Sequence, residues 1–98
     1  MSRYLQTLAK KIRPILLKYR VKQCAVFGSV ARGEATKFSD LDLLIDPAAR
    51  MTLFDLSGLQ QELVARIDGP VDVVTRRSLH PLLKKNIMRD AVTIYEAN

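Results

Sequence analysis

The residues with the most chemical promise lie in one twenty-residue stretch, FGSVARGEATKFSDLDLLID, residues 27–46. A Gly28-Ser29 pair stands at one end, and ten residues later Asp40 and Asp42 stand one residue apart at the other. On a strand, side chains two apart share a face, with about 6.6 Å between their Cα atoms. Two carboxylates at that separation repel by about 2.5 kcal/mol at an effective dielectric near 20. A cation balances them. An all-oxygen donor set with no companion His or Cys suits Mg2+ or Mn2+ and disfavours Zn2+, and Mg2+ characteristically binds through few carboxylates plus substrate phosphates. Two such ions about 3.5 to 4 Å apart clamp the attacking and leaving oxygens of an in-line phosphoryl displacement.

The Gly-Ser end suits phosphate. Gly28 lets the backbone approach a ligand closely, and the SVARG segment, residues 29–33, reads as one or two helical turns ended by Gly33. The start of such a turn offers free N–H groups and positive potential, and Ser29 adds a hydroxyl. Arg32 and Lys37 share the loop and are candidates to neutralise a triphosphate, Arg32 bidentately. Singly, each residue has an ordinary reading: a turn for Gly-Ser, a strand start for Asp40, an exposed edge face for Asp42, a solvated side chain for Arg32. The combination points to a nucleotide.

Those residues must be positioned by the elements around them. Leu5, Leu8, Ile12, Leu16 and Tyr19 recur at helical spacing over residues 3–20, with Pro14 expected to kink the helix or mark a restart. QCAVFG, 23–28, reads as a buried strand and DLDLLID, 40–46, as a second. Leu53, Leu56, Leu59, Leu63 and Ile67 describe another amphipathic helix, closed by the turn DGP at 68–70, and VDVVT, 71–75, is a third strand. Ser78 is the expected N-cap of a helix running to about residue 89, with Pro81 in its first turn. AVTIY, 91–95, reads as a short last strand.

This order implies an α/β (α+β) layer fold with a small mixed three- to four-stranded sheet flanked by helices. Gly28 and the Asp40/Asp42 pair meet only if the first two strands are antiparallel. The helix between the second and third strands predicts that those two are parallel, which brings Asp72 beside the pair. Asp72, among Val71, Val73 and Val74 in a strand expected to be buried, is costly there without a partner.

Composition narrows the function classes. The chain has 98 residues, 48% of them apolar and 27% charged, as expected of one folded domain spanning 1–98. No apolar run approaches the roughly 18 to 20 residues that span a bilayer, and there is no secretory segment at the start, so a cytoplasmic location is expected. Cys24, the single cysteine, reads as a buried inert thiol. Net charge is +6 and unevenly spread: residues 1–37 hold nine Lys/Arg against Glu34 alone, whereas 38–75 hold seven acids against two bases. The basic third suits nucleic acid, phosphates or an acidic partner protein, or is simply a solvated helix face. His80 reads as structural or solvated. Arg76 and Arg77 fall at the end of the third strand opposite Asp72, about 13 Å away, where they suit a partner better than a phosphate. Tyr4 and Tyr95 are weak candidates for self-modification.

Gly28-Ser29, ten residues, then Asp40-Leu41-Asp42 matches G-S-x10-D-x-D, and the chain thereby resembles the polymerase beta-like nucleotidyltransferase superfamily. With the preceding RPILLKYRVKQ it resembles the minimal nucleotidyltransferase (MNT) proteins over nearly its whole length, with the third acid of the family falling at Asp72. The resemblance implies the antitoxin half of an HEPN/MNT toxin–antitoxin pair, whose partner is an all-helical HEPN ribonuclease and whose reaction transfers AMP from ATP to a tyrosine hydroxyl of that toxin. It implies that Asp40 and Asp42 hold two Mg2+ ions, that Asp72 binds the catalytic one and helps deprotonate the attacking hydroxyl, and that Gly28 and Ser29 grip the β- and γ-phosphates. Val30 departs from the family, many members of which carry a larger or aromatic residue there. Two other readings remain open: a non-catalytic module that neutralises its partner by covering it, and a stand-alone transferase acting on a small molecule. The expected lack of an acceptor-binding domain supports the first and counts against the second, which ranks last. Oligomeric state, homo- or hetero-, and direct nucleic-acid binding stay open.

Overall fold

The computed structural model describes residues 2–36 and 39–97. Its first element, α1 (Arg3–Lys18), is capped by the Ser2 side chain, which accepts from the Leu5 N–H at 3.2 Å. Leu5, Leu8, Ile12, Ile15 and Leu16 form its buried stripe. The helix does not restart at Pro14 but runs through it as one element. A proline inside a helix costs about 3 kcal/mol, and here apolar residues on both sides of it, Ile12 and Ile15, are sunk in the core and hold the helix across the break. Tyr19 is the C-cap and packs half-buried against the core.

The chain then forms β1 (Val21–Phe27), a single turn α2 (Gly28–Ala31), β2 (Leu41–Pro47), α3 (Leu53–Ile67) and β3 (Val71–Thr75). A 3-10 turn (Arg76–Ser78), α4 (Pro81–Asp90) and β4 (Val92–Glu96) complete it. The sheet order is β3-β2-β1-β4. β1 pairs antiparallel with both β2 and β4, and β2 pairs parallel with β3, as the mixed sheet inferred above requires. A capping box starts α3: Thr52 accepts from the Asp55 N–H at 3.1 Å while the Asp55 carboxylate accepts from the Thr52 N–H at 3.0 Å. Asp68, in the left-handed region at φ 60, ends it.

Alternation along the strands sorts the sheet's two faces. Cys24, Val26, Leu41, Leu43, Ile45 and Val71 face α1 and α3 and build the core with Leu59 and Leu63. The opposite face carries Phe27, Asp42 and Asp72 in register at one end, then Ala25, Leu44 and Val74, then Gln23 and Asp46. Cys24 is fully buried and burial pushes its thiol up to about 12, which leaves it protonated and inert. Tyr95 is also buried, under the Arg13 guanidinium at 5.9 Å, so it is no acceptor for self-modification.

The start of α4 departs from the sequence-based expectation. Ser78 does not cap it. Ser78 belongs to the preceding 3-10 turn, where its N–H donates to the Thr75 hydroxyl at 3.3 Å. His80 is the cap instead, its Nδ1 accepting from the Leu82 N–H at 3.1 Å, with Pro81 as the first helical residue.

Candidate active site

Backbone register brings the sequence-predicted residues to one end of the sheet. Phe27 of β1 is paired with Asp42 of β2, and Asp42 is paired with Asp72 of β3. Neighbouring strands lie about 4.8 Å apart, so Asp42 and Asp72 sit side by side on the same face. Asp40 immediately precedes β2, and the Leu41 N–H after it donates to the Pro70 carbonyl at 3.0 Å, which ties the start of β2 to the start of β3.

Gly28 follows Phe27 and turns the chain over Asp42. Its φ of +73 is a left-handed conformation that side chains disfavour, and a Cβ added there would stand 2.3 Å from Asp42 Oδ2. Only a glycine fits between the turn and the carboxylate. Ser29 starts the next residues of α2, which has no side-chain cap at its N-terminus. The first N–H groups of a helix have no partner within it, and α2 begins at Gly28, which stands against Asp42. The turn ends in a full Schellman closure: the Glu34 N–H donates to the Ser29 carbonyl at 2.9 Å and the Gly33 N–H to the Val30 carbonyl at 3.2 Å, with Gly33 at φ +73. Val30 and Ala31 pack against the core, which anchors the turn from below.

The electrostatics of this end are unbalanced. Burial raises the pKa of Asp42 most, the charges of Asp72 and then Asp40 raise it further, and Arg32 partly offsets them. Asp40 and Asp72 are exposed. For Asp72 this corrects the sequence-based argument from burial: β3 is an edge strand, so register with Asp42, not desolvation, makes Asp72 notable. Arg32 is exposed at the end of α2, with two carboxylates within reach. Its guanidinium donates to Glu34 at 3.1 Å and to Asp90 of α4 at 3.5 Å, so its influence on Asp42 is that of a nearby charge. Sequence spacing gave no sign of Asp90, which lies 58 residues from Arg32. Lys37 lies outside the described residues.

Among the described residues no three His, Cys, Asp or Glu side chains stand together as a ready metal cage. The donor set still suits a hard cation of the Mg2+ kind, because that ion leaves most of its coordination to water and phosphate oxygens and needs only one or two carboxylates. Burial and then the charges of Asp72 and Asp40 raise the Asp42 carboxyl, and a cation bound there would offset both. Among the described residues no helix is long and apolar enough to cross a membrane.

The profile of the polymerase beta nucleotidyltransferase family matches residues 10–98. A Methanocaldococcus jannaschii protein that carries the name of a protein adenylyltransferase is 44% identical over 87 residues, which are 89% of this chain and 94% of that one. The protein adenylyltransferase MntA of Thermococcus cleftensis is 34% identical over 77 residues, 79% of this chain and 78% of the relative. Among solved structures, one described as a minimal nucleotidyltransferase superposes with a TM-score of 0.79 at 35% identity, covering 91% of each chain. A chain from a toxin–antitoxin complex with AMP-PNP has the same fold, with a TM-score of 0.79 at 23% identity over 92% of this chain and 74% of that one.

Proposed function

This chain belongs to the polymerase beta nucleotidyltransferase family, and from that premise we propose that it transfers AMP from ATP to a tyrosine hydroxyl of a partner HEPN-family toxin, releasing pyrophosphate, and so serves as the antitoxin of the pair. The observation that carries this reading is the pairing of Asp42 with Asp72 directly beneath the Gly28 turn. Relatives named as protein adenylyltransferases and folds shared with toxin–antitoxin complexes support it. Residues 1–98 act as one minimal domain, and a reaction fed by ATP belongs in the cytoplasm.

The acceptor hydroxyl oxygen attacks the α-phosphorus, the bond from that phosphorus to the bridging oxygen of pyrophosphate breaks, and the hydroxyl proton passes to Asp72. Gly28 and Ser29 hold the β- and γ-phosphates through backbone N–H groups and the Ser29 hydroxyl, which leaves the α-phosphorus open to attack. Asp40 and Asp42 would hold both Mg2+ ions and Asp72 one of them; when bound, they supply charge neutralisation for the triphosphate and the departing pyrophosphate. Lys37 adds positive charge to the triphosphate, and Arg32, tied to Glu34 and Asp90, offsets the acids from the side.

ATP labelled at the α-phosphate and ATP labelled at the γ-phosphate separate this reading from others. The α-label is expected on the partner protein and the γ-label in released pyrophosphate. Labelling of the partner by the γ-phosphate, or the same α-labelling from a chain with both Asp40→Ala and Asp42→Ala, contradicts it.

A further inference from the structure

Of the three long helices, α4 buries least. Its large apolar residues are Leu82, Leu83, Ile87 and Met88, and none of them is buried. Leu82 is 80% exposed and Leu83 56% exposed. By contrast α1 buries five residues of its stripe. Large apolar side chains standing together in solvent mark an interaction surface.

The charge around these leucines has one sign. From Arg77 to Arg89 there is no acid, while Arg77, Lys84, Lys85 and Arg89 are all basic. Lys84 and Lys85 are exposed and make no ion pair among the described residues, and the one acid that ends the helix, Asp90, is held by Arg32 at 3.5 Å. A partner that covers this surface is therefore acidic with an apolar centre.

Position ties the surface to the reaction. The Asp90–Arg32 pair fastens the C-terminal end of α4 to the residue that caps α2, four positions after Gly28. Leu82 lies eight residues back along the helix, about 12 Å at 1.5 Å per residue. A standard protein interface covers about 800 Å2 per partner, roughly 16 Å in radius, so one centred on Leu82 and Leu83 extends to the edge of the carboxylate site. The other exposed apolar pair, Leu53 and Phe54, starts α3, which follows the end of β2 farthest from Asp42. It cannot present an acceptor to the carboxylates in the same contact.

We propose that α4 is the docking surface for the acceptor protein, recognising an acidic patch with an apolar centre through Leu82, Leu83, Lys84 and Lys85. This rests on the transferase reading for its purpose but not for its test, because docking is read as binding without nucleotide.

The probe is the HEPN-family partner of the proposed reaction, titrated by calorimetry against the full wild-type chain, Leu82→Asp, Lys84→Glu with Lys85→Glu, and Phe54→Asp. Both α4 variants are expected to raise Kd at least tenfold and KM for transfer with it, while kcat stays within twofold; Phe54→Asp is expected to bind as wild type. All the altered side chains are exposed, and a thermal melt like that of the wild type checks the fold. Kd within twofold of wild type for both α4 variants, loss of binding through Phe54→Asp instead, or no binding by the wild type overturns the proposal. So does single-stranded RNA binding that Lys84→Glu with Lys85→Glu abolishes while partner binding stays intact. A wild type that binds through α4 yet leaves the partner's mass unchanged with ATP overturns the transferase reading and leaves the docking surface standing.

Discussion

The two ends of the sheet's open face treat charge in opposite ways. At the end where β1 begins, Arg76 donates to Gln23 Oε1 at 3.1 Å and Gln23 Nε2 donates to Glu96 at 2.9 Å, so a base just past β3 and an acid on β4 are joined through an amide between them. At the other end Asp42 meets Asp72 and Asp40, and its carboxyl is driven upward by burial and by both neighbours. One end spends its polar groups on the fold. The other keeps like charges together, a cost a protein bears where a ligand relieves it. Even the first end is incomplete, since Arg76 Nε is buried without a partner among the described residues.

The comparison is broken most severely at Asp42. Asp42→Asn is expected to lower transfer at least a thousandfold, as for other charge-stabilising groups of transferases, and yet to raise the melting temperature of the metal-free protein. The sign follows from the pKa: a carboxyl raised in the folded state is one whose ionised form the fold disfavours, so the neutral amide is better tolerated at pH 7. A calorimetric melt beside a transfer assay checks both halves. Next is Gly28→Ala, which places a methyl against Asp42 Oδ2 and forces alanine to φ +73. A loss of stability of about 1–3 kcal/mol is expected in denaturant titration, together with at least a hundredfold loss of transfer.

Solution pH sharpens the same contrast without mutation. Asp42 contributes stability as pH falls through its raised folded pKa, when the proton removes the cost of burying the charge and then the repulsion from Asp72 and Asp40, and loses that contribution as pH rises through it. Asp55, whose pKa is lowered by its bonds to Thr52, behaves the other way: its contribution is present above the unfolded pKa and is lost as pH falls through the folded one. Carboxyl-selective NMR titration is expected to place Asp42 above, and Asp55 below, the ordinary aspartate value, and adding Mg2+ is expected to lower the Asp42 midpoint. The smallest effect lies at the far end. Gln23→Ala is expected to cost about 1 kcal/mol through the lost hydrogen bonds and to leave kcat/KM within twofold.

Much of this arrangement was legible in the residues. The Gly28-Ser29 to Asp40-x-Asp42 spacing, the period-two start of β2 and the helix-length gap before β3 together set which strands are antiparallel and which parallel, and hence that Asp72 comes to lie beside Asp42. What was not legible depends on contacts between distant parts. Edge or centre cannot be read from VDVVT, so Asp72 was expected in a buried strand and is exposed. Ser78 and His80 both have the chemistry of a cap, and the Thr75 turn decides between them by taking Ser78. Arg32 has the chemistry of a phosphate ligand, and one of its two carboxylate partners, Asp90, comes from the far end of the chain. Tyr95 reads as a terminal surface residue until the Cys24 register draws it into the core.

Intact mass spectrometry of the HEPN-family partner, after incubation with this chain, Mg2+ and each nucleoside triphosphate in turn, tests the central claim most directly. The account predicts a gain of one or more adenylyl units with ATP that disappears when Asp40→Ala and Asp42→Ala are combined. An unchanged mass with every nucleotide, while the two proteins still form a complex that silences the ribonuclease, would contradict it and make the chain a neutralising cover rather than a transferase.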